Sequence, residues 1–388
     1  MAELFNGKVQ NKVLILSCNT GEGHNSCAKA LRSAFATEGF VCDIQDTLSL
    51  ASEGYSKAVS QSYDFLARND LVGTPYEIAE WYSELKHKPM SPVYQVNKVY
   101  TKELYRLITR KEYDAVICVH IFPALALSFL MRRHPLELAT FFIATDYTCY
   151  PFMCETDLDG YMVAHPDLVE EYAHSGIPRA KIHATGIPCN EKIFLEKTPK
   201  DEARRRLAKH FKWDIEDYSG GWFLVMGGSM GFGNTDILLK ELLQVCAVKD
   251  RIICVCGRNA KQKEQIDELY KDSEVVVTIG YTDQVPLLMD ACDVLFTKPG
   301  GLTSTEALIK NIPLIHTAPI RGVEDRNARF FKERGMSFCD DNPKVQAEHA
   351  IMLCDDAAVR ESMLEAQRIN RNTESCKCVI DIVKDSIL

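Results

Sequence analysis

The stretch Val294 to His316, VLFTKPGGLTSTEALIKNIPLIH, reads as strand, glycine turn, helix and strand in succession. Its two apolar ends are too short for an amphipathic helix and are apolar at consecutive positions, the pattern of strands covered on both faces. Between them the turn Lys298–Gly301 leads into a helix with Thr303 and Ser304 at its start. Strand, crossover helix and strand make the unit from which parallel sheets are built. Working outward, the same short apolar runs recur at Val13–Ser17, Ala115–Val119, Phe141–Ile143 and Tyr161–Ala164. They recur again at Phe223–Met226, Ile252–Val255 and Val275–Ile279, each followed by a helical pattern. The expectation is an α/β protein, doubly wound in both halves.

With 388 residues the chain is comfortable as two domains. The stretch Ile187–Gly221, with Pro188, Pro199 and the charged run DEARRRLAKH, sets a boundary near residues 200–218. The domains expected are 1–200, 201–370 and a last helix, 371–388, placed to pack back on the N-terminal domain. A net charge of −9 argues against nucleic acid, which needs a basic footprint. No apolar run reaches the roughly 18 residues that span a bilayer, and MAELFNGKVQNK has no apolar leader core. The protein is therefore expected to be neither secreted nor integral. Its fifteen cysteines are scattered, several within strand-like runs, which fits reduced core thiols. Cys254/Cys256 and Cys376/Cys378 are C-x-C pairs without a neighbouring histidine, so no metal site is expected.

In open α/β sheets ligands bind at the carboxyl ends of the strands, so the loops there carry the candidates. After the first strand comes CNTGEGHNSCAKAL, where Gly21 and Gly23 allow a tight turn and a helix is expected near Asn25. His24 at that turn suits a general base near neutral pH, or else caps and packs. In FIATDYTCYP, Asp146 follows a buried strand and would orient His24, meet an acceptor or cap the next segment. Asp157-Leu158-Asp159 has the D-x-D form of a metal site, but it precedes a strand rather than following one.

The loop MGGSMGFGN offers Gly228 and Ser229 for close approach of phosphate or sugar. Arg258, after IICVC, is either a ligand at the same rim or a solvated charge. The helix after Gly300 and Gly301 presents amides and a positive dipole end that suit a diphosphate. Glu306, read as lying in its first turn, either favours the helix electrostatically or accepts ribose hydroxyls. Glu324 and Asn327, in RGVEDRNARFF, are placed to contact sugar hydroxyls or solvent.

Taken in order, SCNTGEGHNSCAKAL, TDYTCYP, MGGSMGFGN, CGRN, TKPGGLTSTEAL and RGVEDRNARFF resemble the GT-B glycosyltransferases that make monogalactosyl or glucosyl diacylglycerol, themselves similar to MurG-type enzymes. The motifs span about Lys12 to Gly335. The resemblance implies two facing Rossmann-like domains with a cleft between them. It implies UDP-glucose, UDP-galactose or UDP-N-acetylglucosamine as donor in the C-terminal domain and a lipid acceptor, diacylglycerol or a glycosyl-diacylglycerol, in the N-terminal one. By the same resemblance His24 is the base, and Gly301, Thr303 and Ser304 bind diphosphate. Glu306 takes the ribose, Arg258 the uridine side and Glu324 the hexose. No cofactor is implied. Where the family commonly has proline, glycine, glutamine and glutamate, this chain has Arg321, Gly322, Val323 and Glu324, and so lacks an amide that helps read the hexose.

The family's divergent segment falls here on Tyr55–Tyr113, with Tyr63, Phe65, Tyr76, Trp81, Tyr82, Tyr94 and Tyr100 among Lys86, Lys88, Lys98 and Lys102. Such a mixture suits an anionic membrane surface on the cytoplasmic face, or an ordinary packing face. A UDP-sugar epimerase and a non-catalytic UDP-sugar sensor are the rival functions.

Overall fold

The structure, a computed structural model, describes residues 4–5, 8–9, 11–19, 22–68, 73–84, 90–213, 217–227, 235–317, 319 and 321–387. It divides into two compact units: Met1–Asn190 with Arg321–Val323 and Glu374–Leu388, and Glu191–Ile320 with Glu324–Thr373.

The first unit holds a six-stranded sheet of β1 (Lys12–Ser17), β2 (Val41–Asp46), β3 (Ala115–Cys118), β4 (Ala139–Ile143), β5 (Gly160–Val163) and β6 (Ile182–Ala184). Their spatial order is β2-β1-β3-β4-β5-β6 and every pairing is parallel. Val13 to Leu16, all of β3 and Phe141 to Ile143 are buried, because helices cover both faces. Full burial of each such aliphatic or phenylalanine side chain contributes about 1.5–3 kcal/mol relative to exposure. Gly160 pairs with Phe141 across the β4/β5 ladder, and a Cβ there would stand 2.8 Å from the Phe141 ring. The last helix, Ser375–Ile387, packs on the helix Glu22–Thr37. Its Val379 and Val383 are fully buried, and Lys384 pairs with Glu38 at 2.7 Å.

The second unit holds β7 (Trp222–Met226), β8 (Arg251–Val255), β9 (Val276–Ile279), β10 (Val294–Thr297), β11 (Leu314–His316) and β12 (Phe338–Cys339). The order is β9-β8-β7-β10-β11-β12, again parallel throughout. The charged run after Pro199 becomes the helix Lys200–Phe211, whose Arg204 is buried. Its guanidinium satisfies the Ala291 carbonyl at 2.9 Å and the Asp293 carboxylate at 2.7 Å, and Asp293 also accepts the amide of Trp222, where β7 begins. The helix Gly301–Lys310 ends on a second buried pair, Lys310 with Asp290 at 2.7 Å.

The fifteen thiols are unbridged. Among the described residues no helix is long and apolar enough to cross a membrane.

Candidate active site

Each sheet has one point where the connections switch direction, and there the loops after adjacent strands open a crevice. In the first sheet this point lies between β1 and β3. The helix after β1 starts at Glu22, earlier than the Asn25 start expected from the sequence, so His24 is in the first helical turn. Ser17, the last residue of β1, donates its hydroxyl to Asn25 Oδ1 at 2.8 Å and pins that turn to the strand.

His24 Nδ1 lies 2.9 Å from the carbonyl of Val119, just beyond β3, and 2.9 Å from Thr145 Oγ1, just beyond β4. A carbonyl only accepts, so Nδ1 carries the proton and the neutral ring keeps its lone pair on Nε2. Burial lowers the pKa of His24 below its ordinary value, while the charge of Asp146 and the Val119 hydrogen bond act the other way.

Asp146 reaches His24 through intermediaries: its Oδ2 accepts the Tyr150 hydroxyl at 2.7 Å, and Tyr150 in turn meets Thr145 Oγ1 at 3.0 Å. His120 completes the crevice. Its ring stands edge-on to His24 with centroids 4.6 Å apart, and its Nδ1 accepts the amide of Phe122 at 3.1 Å. Burial, and then the neighbouring His24, hold His120 well below the usual histidine range. Gly23 is half-buried beside His24, and Gly21 lies outside the described residues.

In the second sheet the switch lies between β7 and β10. Gly227 follows β7, whereas Gly228 and Ser229 lie outside the described residues. After β10, Gly300 is the N-cap of the helix Gly301–Lys310 and makes no side-chain cap. The first intrahelical bond runs from Ser304 N to Gly300 O at 3.1 Å, so the amides of Gly301, Leu302 and Thr303 precede it and point out of the helix end. Ser304 is turned the other way. It is fully buried with its hydroxyl 3.0 Å from His316 Nε2, and Ser337 meets the opposite nitrogen at 3.0 Å. Burial takes His316 down to about 3.

Glu306 is the sixth residue of this helix, in its second turn rather than its first, so capping electrostatics do not account for it. Burial pushes its carboxyl up to about 8, and no hydrogen bond reaches it among the described residues. A carboxyl so perturbed, on the helix after a switch-point strand, is a candidate functional group.

Lys298 and Glu324 form an ion pair at 2.5 Å beside the helix start, and the fully buried Asn327 donates to the Pro299 carbonyl at 2.9 Å. Arg258, after β8, is exposed and lies over the ring of Tyr281, after β9, at 5.2 Å.

The D-x-D pair has structural partners. Asp159 accepts the amide and hydroxyl of Thr140, and Asp157 pairs with Lys181 at 3.3 Å. In the aromatic segment Tyr94 and Tyr100 are buried core residues, while Trp81 and Ile78 are 62% and 58% exposed. The side chains of Tyr63, Phe65, Lys86 and Lys88 lie outside the described residues.

Two family models match the chain: monogalactosyldiacylglycerol (MGDG) synthase over residues 24–189 and the glycosyltransferase family 28 C-terminal domain over residues 223–351. A processive diacylglycerol beta-glucosyltransferase of Bacillus cereus is 25% identical over 391 residues, covering 96% of this chain and 93% of the relative. In fold, MurG of Acinetobacter baumannii superposes with a TM-score of 0.63 at 13% identity, covering 97% of this chain and 99% of that one. A UDP-GlcNAc 2-epimerase of Neisseria meningitidis, solved bound to UDP-GlcNAc, gives 0.63 at 13% identity, with 96% and 100% covered.

Two parallel doubly wound sheets, each with its candidate residues at the switch point, and these matches define a GT-B glycosyltransferase. Its N-terminal part matches the monogalactosyldiacylglycerol synthase model and its curated relatives are processive diacylglycerol glucosyltransferases, so it is a lipid-acceptor glycosyltransferase.

Proposed function

We propose that the protein transfers a hexose from a UDP-sugar to diacylglycerol or a glycosyl-diacylglycerol with inversion, and that His24 is the general base. The observation carrying this reading is the bond between His24 Nδ1 and the Val119 carbonyl, which leaves Nε2 to receive a proton. The acceptor oxygen attacks the anomeric carbon and its proton passes to Nε2. The bond from that carbon to the donor's phosphate oxygen breaks, and its electron pair leaves on the UDP. One displacement inverts the anomer.

The leaving diphosphate gains charge as the bond breaks, so the preplaced amides of Gly301, Leu302 and Thr303 act most in the transition state. No metal ion or cofactor is then needed. Glu306 accepts ribose hydroxyls, Arg258 borders the uridine, and Glu324 faces the hexose, whereas the buried Asn327, read from the sequence as a sugar contact, instead anchors the loop to Pro299. Support for a UDP-sugar comes from the fold shared with the Neisseria epimerase and its bound UDP-GlcNAc. The exposed Trp81 and Ile78 support contact with the inner face of the cell membrane, on which anionic lipid would hold a peripheral enzyme.

The test is incubation with UDP-glucose, UDP-galactose and UDP-N-acetylglucosamine, with and without diacylglycerol vesicles and with EDTA present. Products are read by mass spectrometry and by the anomeric coupling in NMR. A β-linked glycolipid formed only with vesicles is expected. An α-linked product would exclude single displacement, and a new nucleotide sugar formed without vesicles would instead establish epimerisation.

A further inference from the structure

Lys298 follows directly on β10, and Gly300 N donates to its carbonyl at 2.8 Å, so a tight turn holds its backbone under the helix start. Its ammonium grips Glu324 at 2.5 Å, with only 22% and 12% of the two side chains exposed. The Glu324 carboxylate also sits over that helix end, its Oε1 being 4.0 Å from where a Cβ on Gly300 would stand. Asn327, three residues along the helix Val323–Glu333, anchors to Pro299 and keeps Glu324 in this register. The positive end of the helix and the lysine thus already have an internal anion between them.

We infer that Lys298 exchanges partners during the reaction, leaving the Glu324 carboxylate for the diphosphate of the donor. This rests on the UDP-sugar reading above. A diphosphate brought to the Gly301–Thr303 amides meets the Glu324 carboxylate at close range, and the two anions repel unless one moves. Lys298 is the cation at the same turn, and charge-assisted bonds to phosphate oxygens replace the one it gives up. Glu324, released, turns its oxygens to the hexose hydroxyls. The ion pair is therefore a competitor of the donor as well as a brace of the loop, so donor binding and the orientation of the sugar-reading carboxylate become one event.

The exchange makes opposite predictions for the two partners. Calorimetric titration with UDP and with uridine, on wild type, Lys298→Gln, Lys298→Arg and Glu324→Gln, reads them. Lys298→Gln should bind UDP about ten- to a hundredfold more weakly, with uridine unchanged, and Lys298→Arg should recover most of the loss. Glu324→Gln should bind UDP several-fold more tightly, because no carboxylate competes for the lysine. A brace alone would make Glu324→Gln bind UDP no better than wild type, and that result overturns the exchange. So does unchanged UDP affinity in Lys298→Gln. Should Lys298→Gln fail to fold, Glu324→Gln decides alone. Wild type that binds no UDP would sink the donor reading itself, an outcome distinct from either.

Discussion

The two crevices occupy the same place in their sheets and are built from opposite materials. The first holds one neutral imidazole through hydrogen bonds of its Nδ1 with a carbonyl and a hydroxyl, beside a second neutral imidazole. The second offers backbone amides at an uncapped helix end, an ion pair and a carboxyl forced toward its neutral form. A proton is handled best where burial excludes water and fixes a tautomer, whereas a multiply charged leaving group is held best by dipoles that need no rearrangement. Topology thus supplies two equivalent positions, and the side chains around them divide the labour.

The largest effect expected from breaking this division is at His24. His24→Ala should lower kcat by about 10²- to 10⁴-fold while leaving UDP affinity intact by calorimetry. A mutant turning over within a few-fold of wild type would remove His24 as the base. Because burial lowers its pKa, wild-type kcat/KM should fall only as pH drops below 6.5, where the imidazole gains a proton.

Thr145→Val deletes the hydroxyl shared by His24 and Tyr150 and should cost about tenfold in kcat, since it misorients the base without removing it. Equal turnover in the variant would leave the Val119 carbonyl as sufficient to orient the ring.

The smallest effect sharpens the second crevice. Glu306 has its folded-state pKa raised from 4.5 to about 8. Its contribution to stability is full below pH 4.5 and is lost as pH rises through 8. Glu306→Gln should therefore gain Tm relative to wild type progressively as pH rises from about 5 to 8, by several °C in a unit of this size. A difference independent of pH would mean that Glu306 titrates as an ordinary surface carboxyl.

Nine strands are legible as apolar runs, most of them because they are buried on both faces; β9 is an edge strand and only partly buried, yet keeps the apolar run VVTI. β2, VCDIQD, escapes that pattern because it is an edge strand, half-buried along its whole length, where Asp43 and Asp46 are tolerated. Asp43 holds Lys111 and Tyr113, and Asp46 caps the turn that follows. β6 and β12 are too short to announce themselves.

The candidate residues are legible as positions after strands, but their partners are not. Val119 and Thr145 come to His24 from 95 and 121 residues away, and Glu324 to Lys298 from 26. The one available signal is that each follows an apolar run, which locates a rim without saying which rims adjoin. Ser304 shows the converse. Its place at a helix start invites a phosphate role, and only packing shows its hydroxyl directed at His316. The aromatic segment likewise separates only in three dimensions, into core tyrosines and the exposed Trp81.

Gly300 leaves the Gly301–Lys310 helix without a side-chain cap, a deficit of a few tenths of a kcal/mol relative to serine or aspartate there. That helix is otherwise buried along most of its length and closed at its far end by Lys310 and Asp290, so it cannot relieve the deficit by fraying. The protein thus carries a built-in reserve of instability that an anion at this end would cancel. Between turnovers it should be measurably more sensitive to heat and protease than when loaded, by an amount that grows with the logarithm of ligand concentration.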